Sequence, residues 1–581
     1  GMVYTHDLKS CLVRDVGSTP TSGTKVKNSL SKNYFVWAIP IFIFILVFSL
    51  SLLLRLSTDS FSSGNDPYYH VKKSFNLTSS TPSYPPAFSL QSDKPTDLYI
   101  AYHRGMMPFI SDFNGSNFEV LIKGSKIYHS IILALLFSVF FIVLKSILKK
   151  EKSSRPQAYA LLGTILLFTS SHIFAFRIFM ERPHVLSILF MILALYACID
   201  KNKFFILLLS ALFPFFYSVS FFILILPIVY VFASIVYGED ILNSFKILVS
   251  SIVGLVVGII LRPDTVNYLA NGYIVHINSL KETIFGSTTN TPAELSTPLD
   301  NLSREVWLIL FLFYFVSLAF YIVKKRSIHK LSLVSWFLFA LSVIFTFGFL
   351  VVQRTVEYTL PFFIIAFFVG LGTISHSLRE SLRNLKQNTL AREVFSTIAK
   401  KIRLNKKTVG AVFLIFISLL FYSRISNLKN TFQKSPNYKT YQSVTEEIRR
   451  LTPSGSTIFI PRFGMFPELY FYASDYRFTS GMDPAFTYAH SPEIFWKIYH
   501  TSRGENICDK KICTKNEIDV FDFIISELGS EYIVLNTKYF NKDSGSENFK
   551  ALIEKDSRFK LVFTDPKFSN IKLYKLEPIA D

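Results

Sequence analysis

Eleven apolar runs set the limits on what this chain can fold into. They fall at about 34–54, 128–148, 157–176, 185–199, 204–218, 220–237, 245–261, 306–323, 331–352, 359–376 and 408–423. A helix of roughly 20 apolar residues crosses ~30 Å of hydrocarbon. Backbone inside hydrocarbon must satisfy its own polar groups, so each run is expected to be helical. Composition agrees: of 581 residues, 50% are hydrophobic and 16% aromatic, with 60 Phe. Mean hydropathy is +0.35. The expectation is a polytopic α-helical membrane bundle of about eleven spans. The stretch 204–237 reads either as a tight hairpin broken near Phe216-Tyr217-Ser218 or as one long tilted helix, and the choice inverts everything downstream.

Charge bears on that choice. Basic residues follow the even-numbered runs: Lys145, Lys149, Lys150, Lys152 and Arg155, then Lys201 and Lys203, then Lys246, then Lys324, Lys325, Arg326 and Lys330. A last set includes Arg379, Arg383, Lys386, Arg392, Lys400, Lys401, Arg403, Lys406 and Lys407. All share one side only if 204–237 is a hairpin, and the positive-inside rule makes that side cytoplasmic. The N-terminus is then inside and residues 426–581 are outside. This arrangement accounts for the net charge of +20 without nucleic acid as a partner. Abundant Lys, Phe and Ser suggest an AT-rich bacterial genome, hence a multi-pass protein of the cell inner (cytoplasmic) membrane with its C-terminal domain in the periplasm.

The domains expected are a cytoplasmic segment at 1–33, a transmembrane domain at 34–425 with outer loops 55–127 and 262–305, and an extracytoplasmic α/β domain at 426–581. Residues 13–24 resemble the translated 3′ end of a transfer-RNA gene, which would place the true start downstream and leave the first run as signal anchor. In the C-terminal domain, β-like runs at 457–460, 532–535 and 571–576 alternate with helical candidates at 438–451, 491–500 and 518–528. Cys508 and Cys513 lie in this region, where an extracytoplasmic setting favours a short disulfide over two free thiols.

Two charged clusters fall on the outer side. One is Gly64-Asn65-Asp66-Pro67-Tyr68-Tyr69-His70. The other is Arg177-Ile178-Phe179-Met180-Glu181-Arg182-Pro183-His184, between two runs with almost no room for a loop. Ionisable groups beside hydrocarbon are costly and usually functional. Asp66 could act as general base, bind metal or cap a helix. Arg177 and Glu181 are spaced to pair on a helix; the competing reading has the arginines gripping phosphate through their planar fork. The loop Asp97-Leu98-Tyr99-Ile100-Ala101-Tyr102-His103-Arg104, with Tyr84 and Phe88, offers aromatics for sugar stacking or for an interfacial belt. Arg354 and Glu357 mark another outer turn, as a phosphate contact or a salt bridge. The loops Pro461–Glu468 and Ser480–Phe486 follow β-like runs and read as turns or as site loops. No G-x-x-x-x-G-K-[ST], H-E-x-x-H or G-x-S-x-G is present, which removes the corresponding ATPase, zinc-protease and serine-hydrolase signatures.

Together, Asp66 in the first outer loop, the Arg177–His184 cluster, the many spans and the outer α/β domain resemble the integral-membrane glycosyltransferases of the C-type fold (GT-C). The layout is distantly similar to the catalytic subunit of oligosaccharyltransferases. The family's Trp-Trp-Asp-Tyr-Gly signature is absent, the stretch reading Ile460-Pro461-Arg462-Phe463-Gly464-Met465. Its acid-x-acid pair is replaced by Glu181-Arg182-Pro183-His184. The resemblance implies a polyprenyl-phosphate sugar as donor and an extracytoplasmic glycan, lipid or protein as acceptor. It implies Asp66, His70 and Glu181 as catalytic residues, and Arg177, Arg182, His184 and Arg354 on the donor phosphate. Tyr69, Asp97, Tyr102, His103 and Glu357 would meet the acceptor or sugar, and a divalent cation (Mg or Mn) could sit on Asp66 and Glu181. The alternatives are a lipid-linked glycan polymerase or ligase, and a non-catalytic transporter or carrier-binding protein.

Overall fold

All eleven apolar runs are helical, because a chain in hydrocarbon has no other open arrangement that pairs its backbone. The computed structural model describes residues 26–61, 64–77, 79, 82–89, 96–112, 117–272, 305–325, 331–385, 406–513, 518–538 and 544–578. The helices are α1 (Val26–Leu56), α2 (Asp66–Asn76), α3 (Ile100–Ile110), α4 (Phe118–Lys150), α5 (Pro156–Thr169), α6 (His172–Phe179), α7 (His184–Ile199) and α8 (Lys203–Phe216). They continue as α9 (Ile225–Tyr237), α10 (Ile241–Ile260), α11 (Thr265–Gly272), α12 (Val306–Lys325), α13 (Leu333–Val351), α14 (Val356–Leu385) and α15 (Lys406–Gln433). Among the described residues, seven helical stretches are long and apolar enough to cross a membrane, and three shorter apolar helices stand beside them. The chain is a multi-pass membrane protein.

Local chemistry sets the breaks. The run at 157–176 is split at Ser170-Ser171, where the Ser171 hydroxyl accepts from Phe174 N–H at 2.9 Å and so caps α6. Between α6 and α7, extended Met180 and then Pro183 end one helix and begin the next, which bends the pair by 113°. Glu181 and Arg182 sit at that corner. The stretch 204–237 is a hairpin: Lys201, before α8, forms an ion pair with Asp240, after α9. Lys150 Nζ donates to the Ile199 carbonyl at 2.6 Å, and Ser332 Oγ to Glu151 at 2.6 Å. The turns after α4, α7 and α9, together with Ser332 ahead of α13, thus gather at one end of the bundle.

Within the bundle, α8 and α10 run parallel in backbone contact. A Cβ on Gly254 would collide with the Leu207 carbonyl, and one on Gly258 with the Ala211 carbonyl. Only glycine admits this approach.

The C-terminal domain continues with α16 (Gln442–Leu451), β1 (Thr457–Phe459), α17 (Phe466–Tyr472), β2 (Arg477–Phe478), α18 (Pro484–His490), α19 (Pro492–Arg503), β3 (Ser530–Asn536), α20 (Ser544–Lys555), β4 (Phe559–Thr564) and β5 (Ile571–Leu576). Its sheet has the order β2-β1-β3-β5-β4, parallel on the β2-β1-β3 side and antiparallel across β3-β5-β4. Cys508 and Cys513 are disulfide-bonded. The domain docks on the loop between α1 and α4 through rings: Tyr68 meets Phe471, Tyr69 meets Tyr470, and Phe118 meets Tyr472 with centroids 4.6 Å apart. Asn65 Nδ2 donates to the Gly464 carbonyl at 2.6 Å. Of the predicted outer loops, 55–127 holds α2, α3 and the start of α4. Of 262–305, residues 273–304 lie outside those described, as do 1–25 of the N-terminal segment.

Candidate functional site

The charged residues converge where the bundle meets the C-terminal domain, at the end opposite the basic turns. Gly64, at φ +72, turns the chain into α2, and Asp66-Pro67 opens that helix, where a carboxylate and a proline both suit the first turn. Arg182, at the α6–α7 corner, brings Nη2 to 3.0 Å from Asp66 Oδ2. Arg354 leaves the turn before α14 and donates to the Tyr217 hydroxyl at 3.3 Å.

Three further pairs are sealed. Arg55 Nη1 donates to Glu181 Oε1 at 2.9 Å, and Ser125 Oγ to Glu181 Oε2 at 3.0 Å. Arg177 Nε donates to Glu357 Oε1 at 2.5 Å, and His184 Nε2 donates to the Arg177 carbonyl at 2.8 Å. His103 Nδ1 lies 2.8 Å from Asp97 Oδ1, and its Nε2 is 3.0 Å from His70 Nδ1. Burial raises the Asp97 carboxyl, but the His103 contact outweighs it and holds the acid down at about 2. Burial, followed by the charges of His103 and Arg182, pushes His70 well below the ordinary imidazole range, so it is neutral at physiological pH. Arg262 anchors this loop by donating to the Asp97 carbonyl at 2.6 Å.

Several sequence expectations change here. Arg177 does not pair with Glu181 along one helix; each finds a partner from a distant helix. Glu357 is fully buried against Arg177, so it does not face an acceptor, and Arg177 is buried with it. The rings of Tyr102 and His103 are packed away rather than presented for stacking, and Tyr69 is buried against Tyr470. Glu181 has both oxygens engaged by Arg55 and Ser125, and Asp66 faces Arg182. The two carboxylates therefore do not fit a shared divalent cation. Among the described residues, the cluster with metal-ligand spacing is His500, Cys508 and Cys513, whose two sulfurs are bonded to each other. Sequence reasoning missed Arg55, which ends an apolar run and reads as an interfacial flank. It also missed Glu305, whose carboxylate accepts from the His172 and Ile173 N–H groups and Trp307 Nε1.

No protein-family model and no curated protein matches this sequence. Solved structures do. The apo oligosaccharyltransferase of Archaeoglobus fulgidus superposes with a TM-score of 0.54 at 11% identity, covering 93% of this chain and 74% of that one. The same organism's archaeal oligosaccharyltransferase AglB, in complex with an inhibitory peptide and a dolichol-phosphate, gives 0.53 at 10% identity, covering 94% and 75%. A form tethered to an acceptor peptide containing an NVT sequon gives 0.52 at 12%, again covering 94% and 75%. Matched to these structures over 93–94% of its length, this chain has the C-type fold of membrane glycosyltransferases.

Proposed function

We propose that this protein transfers a sugar from a polyprenyl-phosphate carrier to an extracytoplasmic acceptor, with Asp66 at the reacting centre. One observation carries the reading. Of the four ion pairs named above, three are almost closed to solvent, while Asp66 and Arg182 keep 28% and 14% of their side chains exposed. A group that reacts must be reachable, and a sealed pair is scaffolding. The fold is also one on which lipid-linked sugar transfer is carried out.

The chemistry follows from charge. The acceptor oxygen attacks the anomeric carbon, and the bond from that carbon to the carrier phosphate breaks. The bonding electrons leave with the phosphate, and the acceptor proton passes to Asp66. Negative charge grows on the departing phosphate, so a preorganised cation beside it lowers the barrier. In this reading Arg182, beside Asp66, takes that role, with Arg354 on the adjoining turn as a second phosphate contact. The buried pairs Arg55–Glu181 and Arg177–Glu357 fix the corner from which Arg182 projects. The apolar bundle supplies a surface for the prenyl tail, and the basic turns at the opposite end support, by the positive-inside rule, a site on the outer face.

The test is turnover by purified protein in lipid nanodiscs against a panel of polyprenyl-phosphate sugars, for wild type and Asp66→Asn. The expected result is release of carrier phosphate by wild type and none by the variant. A protein that neither binds nor consumes any donor on the panel would remove the reading.

A further inference from the structure

A cavity of about 300 Å3 opens between the two loops Pro461–Met465 and Ser480–Pro484 and helix α19. It begins one residue from the reacting acid, since Asn65 lines it and Asp66 follows. Its volume admits a monosaccharide ring. Its lining is unlike the rest of the domain in two respects.

First, it presents aromatic faces. Phe463 is 37% exposed, in a domain whose other large rings are mostly packed away. Tyr499 lies across from it on α19, near parallel to Phe495 at 22°. Second, among the described lining residues the charged side chains are two arginines, Arg462 and Arg503. Arg462 Nη2 donates to the Ser546 hydroxyl at 3.1 Å, which fixes its fork at the wall. Arg503 donates from Nε to Glu505 at 2.7 Å and lies over the Tyr499 ring, 5.4 Å from its centroid. Planar guanidinium donors suit carboxylate and phosphate oxygens, and aromatic faces suit the apolar face of a sugar ring. We infer that this cavity is an acceptor subsite for a sugar carrying an oxyanion, either a uronate or a phosphosugar. The inference rests on the transferase reading above and narrows its acceptor to an acidic glycan.

Binding is measured by calorimetry on the full chain in nanodiscs, with a galacturonic acid tetrasaccharide, glucose 6-phosphate and neutral maltotetraose as probes. An acidic probe is expected to bind at least ~10-fold more tightly than the neutral one, and Arg462→Gln and Arg503→Gln are each expected to weaken it ~10-fold. The uronate and phosphosugar arms tell which oxyanion is preferred. Asp66→Asn should leave this affinity unchanged while abolishing transfer. If either arginine variant fails to fold, Tyr499→Ala, expected to weaken every probe, serves in its place. Equal affinity for acidic and neutral probes, no acidic binding, or folded variants that bind like wild type would overturn the inference. Donor hydrolysis on the same preparation separates the two claims: donor consumed without acidic binding rejects the subsite alone, whereas acidic binding without donor consumption rejects the transferase reading.

Discussion

Arg55 and Glu181, 126 residues apart, form a fully buried ion pair at 2.9 Å beneath the corner that carries Arg182. Breaking such a pair from one side leaves an uncompensated buried charge, whereas replacing both partners with apolar groups is far less costly. Arg55→Ala should therefore destabilise by about 3–5 kcal/mol. Arg55→Met with Glu181→Leu should recover most of that loss. Thermal denaturation of the detergent-purified variants checks it; a well-folded, inactive Glu181→Gln would instead return Glu181 to the chemistry.

Arg182 is expected to act on the transition state. Arg182→Gln should fold normally and lose about 10²-fold in kcat, with a smaller change in donor KM. Steady-state kinetics on a single lipid-linked donor read the split, and a pure KM effect would make Arg182 a binding group only.

The series Asp97–His103–His70 is a chain of hydrogen bonds that orients one imidazole through another. Asp97 sits at about 2, below its ordinary value near 3.8, so its contribution to stability is complete above the unfolded value and is lost as pH falls through about 2. Asp97→Asn should cost about 1–3 kcal/mol at pH 7 and little near pH 2. Denaturation followed across pH for both proteins gives the comparison.

Glu468 gives the opposite sign. It is buried in α17 with Oε2 unpartnered, and burial pushes its carboxyl up to about 8. The folded protein therefore holds a proton that the unfolded chain releases near 4.5. The stabilisation this gives is full below 4.5 and falls away as pH rises to about 8, by up to ~1.4 kcal/mol per pH unit. Glu468→Gln should flatten the fall of melting temperature over that window; an unchanged slope would mean that the acid is ionised in place.

The helical runs were legible because hydrocarbon leaves a chain one choice, and the basic turns separated the two ends because charge resists crossing. The hairpin at 204–237 followed from that asymmetry, and the Lys201–Asp240 pair closes it. The two charged clusters were visible as anomalies in apolar surroundings. Their wiring was not. Arg177 and Glu181 have the spacing of a helical pair, yet the break at Met180–Pro183 turns them toward Glu357 and Arg55, and no local pattern encodes partners so distant in sequence. In the C-terminal domain β1, β3 and β5 announced themselves by β-branched and aromatic runs. β4 and the two-residue β2 went unread, being too short or too polar on their exposed face to stand out.

The glycine contact between α8 and α10 has a mechanical consequence. Two helices locked backbone to backbone move as one lever. Its α8 arm ends at Tyr217, which holds Arg354, and its α10 arm ends at Arg262, which holds the Asp97 carbonyl. A tilt of the pair is thus carried from the turn that bears Arg354 to the loop that aims His103 and His70, so the two loops shift together.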